Sequence, residues 1–211
     1  MIQAAAGATR QPFPYTAVSE DNKMKKELGV MPAVFPLPVL MIGTYDENGT
    51  PDVMNAAWGT VCGMQEIVVC LGEHKTTENL RRTGAFTVAI ADAAHVKEAD
   101  FFGIASAAKM ADKFARTGMT AVESKHVHAP VIEEFPLTME CELAEIVRTE
   151  HFHGVIGKIV GVVADEGVLT AEGKVDASRL NAILFDQFGR DYYTVGEPIA
   201  KAWNAGKEWM R

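Results

Sequence analysis

The chain has little of what marks a stapled, membrane-bound or nucleic-acid-binding protein. Its three cysteines, Cys62, Cys70 and Cys141, form no CxxC pair and leave an odd number. That argues against a disulfide framework or zinc knuckle and for free thiols in a reducing compartment. Positive charge is scarce: 20 basic residues face 28 acidic ones, for a formal net charge of −8. Nucleic acid and anionic membrane surfaces are therefore poor partners, since each calls for a basic face, although local donors could still hold a small anion. No run approaches the roughly 18 uninterrupted apolar residues of a membrane span. The start, MIQAAAGATRQPFPY, has no basic segment leading into an apolar core, so no secretory signal is expected and the protein is placed in the cytoplasm. There is no GxGxxG, Walker loop, GxSxG elbow or HExxH; any enzymatic chemistry would then come from a bound cofactor. Internal repeats and low-complexity segments are also absent.

What remains is ordinary globular composition, 48% hydrophobic and 23% charged over 211 residues, enough to bury roughly 70% of the unfolded chain's surface without staples. Residues 1–23 lack large apolar groups and periodicity and read as a flexible extension; residues 24–211 read as one domain. Apolar runs predict strands over 37–45, at DVMNAAWGT, and over 67–71 and 85–91. Asn48-Gly49 between the first two runs is a hairpin signal, because both turn positions favour positive φ. A short helix is expected in GEHKTTENLRRTG, with a Thr at its start, Arg81 and Arg82 in its last turn and Gly84 as its stop. Further helices are expected from Asp92 to about Gly103, at the DKF stretch, at 176–184 and near Trp209, with a turn at YYTVGEP. Leu137 to Leu143 alternates wet and dry, and a long strand over 152–164 carries Gly154, Gly157 and Gly161, glycines that commonly mark bulges or barrel corners. Strands with helical excursions predict a mainly β protein, a closed or half-closed β-barrel.

Two segments could hold a ligand. Asn55-Ala56-Ala57-Trp58-Gly59-Thr60 is a run that a strand normally avoids. Small residues there would let a flat ring lie close to the backbone; tight packing against the long C-terminal segment is the alternative. His74-Lys75-Thr76-Thr77-Glu78-Asn79 begins a helix, where unpaired N–H groups, two hydroxyls and a lysine suit a phosphate; an ordinary Thr cap with a solvated Lys is the alternative. Together they describe a ring platform beside a phosphate cradle. The couplets His126-Val127-His128 and His151-Phe152-His153 would each put two rings on one strand face, but nothing is spaced to complete a metal site. The ten methionines read as core filler.

From Met24 to about Trp203 the chain resembles the flavin reductase-like family of FMN-binding split barrels, and more closely its flavoredoxin-like branch. The landmarks are MKKELG, PLPVLMIGTYDENGTPDVMNAAWGTVC, GEHKTTENLRRTGAFTVAI, ADFFGIAS with DKF, HAPVIEEFPLTMECEL, GKIVGVVADEGVL and YYTVGEPIAKAW, in that order. The resemblance implies a homodimer with non-covalent FMN in a groove at the subunit interface. Asn55, Ala56, Ala57 and Trp58, with Thr60 and Cys62, would lie along the isoalloxazine. His74, Lys75, Thr76 and Thr77, with Asn79, would hold the phosphate and ribityl chain, and Ser106, Lys109 and Asp112-Lys113-Phe114 would lie close to the flavin. FMN would take a hydride from NADH or NADPH and pass electrons to an acceptor that the sequence does not name; the alternative is an FMN electron carrier without a nicotinamide site. The chain departs from many relatives in having Gly63-Met64-Gln65-Glu66 in place of a Pro pair, Phe152 in place of a His, and Ser106-Ala107 in place of Ser-Gly.

Overall fold

A computed structural model describes residues 25–210; the expected extension, 1–23, lies outside the described residues. The chain divides into two units, Met1–Ala33 and Val34–Arg211. Residues 25–33 are exposed and carry no helix or strand, and every element below belongs to the second unit.

Seven strands form one antiparallel sheet: β2 (Leu40–Tyr45), β3 (Pro51–Ala56), β4 (Gly59–Gly63), β5 (Glu66–Cys70), β6 (Ala85–Ile90), β9 (Leu137–Arg148) and β10 (His153–Ala164), in the order β3-β2-β6-β9-β10-β5-β4. The two edge strands, β3 and β4, are consecutive in the chain and joined only by Ala57 and Trp58. Laid flat, seven strands would hold their edges roughly 29 Å apart, whereas a two-residue link spans at most about 11 Å. The sheet must therefore roll up. Its edges meet at a corner without pairing, which makes the barrel split. The run DVMNAAWGT, expected as one strand, is accordingly two.

Alternation along the strands builds two cores. Leu40, Ile42, Ile67, Val69, Phe86, Val88, Cys141 and Val155 fill the barrel, and Leu80 of helix α1 (Lys75–Thr83) closes one end. The opposite faces of β2, β3 and β6 present Val39, Met41, Val53 and Ala89 to Ala99 and Phe102 of helix α2 (Val96–Ile104), and to Phe114, Met119, Ile132 and Phe135 of the excursion that follows. Both faces of β2 are covered, and so its first three residues, Leu40 to Ile42, are apolar in succession, while the buried Thr44 further on is satisfied by the Asn79 amide. The long-strand glycines sit at close approaches: a Cβ on Gly157 would strike the Phe86 ring, and one on Gly161 the Glu140 carboxylate. Register shifts fall beside both glycines, as expected of a strand that bends around a barrel.

Elsewhere local chemistry corrects the reading. Between β2 and β3 only Gly49 has positive φ, at 78°; the loop runs from 46 to 50 and Asp46 Oδ1 closes it by accepting the Asn48 and Thr50 N–H groups. Helix α1 starts from His74, and Thr76 and Thr77 stand inside its first turn. Asp92 caps a 3-10 turn, Ala93–His95, that leads into α2. The DKF stretch forms turns ending in a 3-10 turn, Ala115–Thr117. No helix forms over 176–184. Asp176 turns the chain by accepting the Ser178 N–H and hydroxyl, and the apolar residues beyond it form β11 (Ile183–Asp186). That strand lies between β1 (Leu37–Pro38) and β12 (Asp191–Thr194), so the first three residues of the expected YYTVGEP turn belong to a strand. Near Trp209 only a 3-10 turn, Lys207–Met210, is found.

A hairpin of β7 (Ala121–Glu123) and β8 (Pro130–Ile132) is tied to the barrel through Glu140, whose side chain is fully buried on β9. Burial alone would raise its pKa. The Ser124 hydroxyl at 2.5 Å, His126 Nδ1 at 2.6 Å and the Lys125 N–H at 3.0 Å outweigh that and hold it below the usual carboxylate value. The couplet His126/His128 thus lies in a loop bonded to a carboxylate, and His151 precedes β10 while His153 begins it. A carboxyl whose folded pKa is depressed contributes stability that is complete above the ordinary Glu value of about 4.3 and is lost as pH falls through the folded value. Denaturation midpoints measured against pH should therefore drop on that acid limb, and Glu140→Gln should flatten it.

Candidate functional site

The structure places a groove of about 190 Å³ across β3, between the start of α1 and the end of α2. Asp52 and Met54 line it from β3, His74, Lys75 and Thr76 from α1, and Phe102 to Ala107 with Lys113 from the other side. A wider cavity of about 420 Å³ shares His74, Lys75 and Ser106 with it and adds Glu73, Glu78, Arg81 and Ala108. Helix α1 opens onto this space without a side-chain cap, because His74 at the cap position makes no such bond. The first-turn N–H groups and the positive end of the helix dipole are left for a ligand.

The expected site residues divide into five groups. His74, Lys75, Thr76 and Ser106 come together in the groove. Asn55 stands beside it, donating its amide to Ala99 O at 2.9 Å, and Gly103 leaves the room that this side chain needs. Ala56 is buried in the barrel, Ala57 is half-buried at the corner, and Trp58, 55% exposed, leads into β4, where Thr60 and Cys62 are also exposed. Lys109 is exposed in the turn that starts at Ser106. Thr77 and Asn79 face inward: the Thr77 hydroxyl donates to Gly72 O at 2.7 Å and the Asn79 amide to Thr44 Oγ1 at 3.1 Å. The Thr76 hydroxyl proton is likewise committed, to Asp52 Oδ2 at 2.9 Å. Lys75 is held by Glu47 at 2.7 Å and Glu78 at 3.1 Å, hydrogen bonds that raise its pKa.

Sequence reasoning left Asp52 out and placed Lys113 close to the flavin only through the family resemblance. Both side chains are 4% exposed, and they form an ion pair at 3.5 Å. Lys113 Nζ also donates to Val53 O at 2.6 Å and lies 5.7 Å from the Phe102 ring centre. Burial lowers its pKa, partly offset by Asp52. Asp52 follows a turn and Lys113 follows Asp112, so each looks like a solvated surface charge; no local pattern says that 60 intervening residues bring them together. Truncating Lys113 to Met should cost about 3–5 kcal/mol by stranding a buried carboxylate. Adding Asp52→Asn should recover much of that loss in urea unfolding, because no charge is then left unpaired.

No helix among the described residues is long and apolar enough to cross a membrane. Residues 31–189 of this mainly β split barrel match the model of the flavin reductase like domain. The chain belongs to that family. Its fold superposes on the flavoredoxin of Desulfovibrio vulgaris (Miyazaki F) with a TM-score of 0.82 and 38% identity, covering 87% of this chain and all of that one. A flavoredoxin from Methanosarcina acetivorans matches at TM-score 0.79 and 24% identity, over 90% of this chain and all of that one. An uncharacterized protein of Archaeoglobus fulgidus is 29% identical over 164 residues, 76% of this chain and 89% of its own length.

Proposed function

We propose that the protein binds FMN non-covalently in this groove and uses it to carry electrons from a reduced nicotinamide, NADH or NADPH, to a second acceptor. The observation that carries the reading is the uncapped start of α1, with Lys75 and Ser106, opening onto the same groove as β3. The donor set fits the cofactor. Backbone N–H groups of the first helical turn and the Lys75 ammonium suit a phosphate, and the β3–β4 corner at Asn55, Ala56, Ala57 and Trp58, with Thr60 and Cys62 on the exposed strand beyond, offers backbone groups and small side chains to a flat ring. Bound flavin supplies the redox chemistry, accepting a hydride or single electrons and giving them up again. The chain's own part is to bind and orient. Asn55 is fixed by its bond to α2 and braces the strand under the ring. Thr77 and Asn79 pin α1 to the barrel, so that its open end keeps its direction. Ser106 borders the groove from the opposite bank, and Lys109 stands exposed in the turn that begins there. A second copy of the chain would cover the exposed edge where Trp58, Val61 and Met64 stand, giving a homodimer with flavin at its interface.

The likeness to a flavoredoxin at 38% identity supports a second reading, in which the same FMN shuttles electrons between redox partners and no nicotinamide site exists. An anaerobic absorbance spectrum separates the two. Bleaching of the flavin bands within seconds of adding NADH or NADPH is the outcome expected of the reductase, whereas a flavin that stays oxidised supports the carrier. A colourless protein that takes up no FMN sinks both. Within either reading, Lys75→Ala should weaken FMN binding by about 1–3 kcal/mol, the range for a lost charge-assisted hydrogen bond. Fluorescence titration checks this, and an unchanged affinity would remove Lys75 from the phosphate site.

A further inference from the structure

A phosphate makes poor use of the floor of the groove. Asp52 lies there with two oxygens in unlike situations. Oδ2 accepts the Thr76 hydroxyl, whereas Oδ1 is buried without a hydrogen-bond partner and its nearest cation, Lys113 Nζ, stands 3.5 Å away. Of the three N–H groups on Lys113, one goes to Val53 O and one points toward Asp52, which leaves another for an incoming acceptor. An anion has little reason to settle on this floor. The Lys113 charge is already balanced, the Thr76 proton is already spent, and the Asp52 carboxylate repels a second negative group. A neutral hydroxyl has reason to: it can donate to Asp52 Oδ1 and accept from Lys113 in the same place. One step outward, in the adjoining cavity, Lys75 and Arg81 line the wall beside His74 and Ser106; both are paired with glutamates, Lys75 with Glu47 and Glu78 and Arg81 with Glu73, so the donors left unspent there are the first-turn N–H groups of α1.

We propose that the Asp52–Lys113 pair on the groove floor is the recognition element for the neutral polyol chain of the flavin, and that the phosphate is held separately in the adjoining cavity by Lys75 and the start of α1. This rests on the reading that the groove holds FMN. It makes the side chain of the flavin, read one segment at a time, a source of affinity separate from the ring.

Three probes on the full chain stripped of flavin test it: lumiflavin, which has the ring alone; riboflavin, which adds the polyol; and FMN, which adds the phosphate. Fluorescence titration of the unaltered protein should show riboflavin binding at least about tenfold more tightly than lumiflavin, as one or two added buried hydrogen bonds imply. Asp52→Asn should close most of that gap while leaving lumiflavin unchanged. Lys75→Gln should weaken FMN and spare riboflavin. Equal binding of lumiflavin and riboflavin by the unaltered protein overturns the proposal without any variant, so it stays decidable should Asp52→Asn not fold. An Asp52→Asn protein that loses all three probes alike, or a Lys75→Gln protein that loses riboflavin as much as FMN, overturns it too. Tight FMN binding alongside those failures leaves the functional reading standing, whereas binding of no flavin at all ends both.

Discussion

The architecture depends on one covalent constraint. Ala57 and Trp58 are all that separates the two edges of a seven-stranded sheet, so the sheet has to close on itself at that corner. Closure is what makes an inside, and the inside is filled by alternate residues of strands that are distant in sequence. It also decides where small residues are needed. Gly157 makes way for Phe86, and Gly161 for the Glu140 carboxylate, beside the two register shifts between β9 and β10. β2 is covered on its outer face as well, by α2 and the segment after it, so the barrel wall on the side that carries the groove is packed on both faces. Asp52 and Val53, which meet Lys113 there, belong to the strand that leads into the corner.

Charge is handled by compensation at short range. The chain is strongly acidic as a whole, yet the two ionised groups that lie deepest are each matched. Glu140 is held by a hydroxyl, an imidazole and a backbone N–H, and Lys113 by Asp52 and a strand carbonyl. Such pairs contribute less to stability than their contacts suggest, since desolvation offsets most of the attraction. Their effect is positional. The first fastens the β7–β8 hairpin over the barrel wall, and the second fastens the excursion after α2 to β3 and, through Thr76, to the start of α1. Three segments remote in sequence are thereby locked around one groove.

Much of this was legible from residue order. The strands at 40–45, 67–70 and 85–90 and the helix ending at Gly84 follow from periodicity and stop signals that act over a few residues. The glycines in the long strand announced its bends, and seven ordered landmarks carried the resemblance to flavin reductase-like split barrels. The misreadings have a common cause. The segment at 176–184 has helical composition, but Asp176 captures Ser178, and Ile183 to Asp186 gains more by pairing with β1 and β12 than a short isolated helix could. The aromatic pair Tyr192-Tyr193 looks like a turn only until a neighbouring strand is supplied.

The site divides along the same line. Residue types fixed the candidates whose chemistry is local: a helix start with Lys75 and Thr76 is recognisable wherever it sits. Sequence also set which strands have two dry faces and therefore lie in the middle of the packing. Only the tertiary structure decided that Thr77 and Asn79 spend their polar atoms inside the fold, that Ser106 stands across from His74, and that Asp52 meets Lys113. Those facts depend on contacts between residues up to 61 positions apart. Their geometry is set by barrel closure and core packing, terms that sum over the whole chain and leave no mark at any single position.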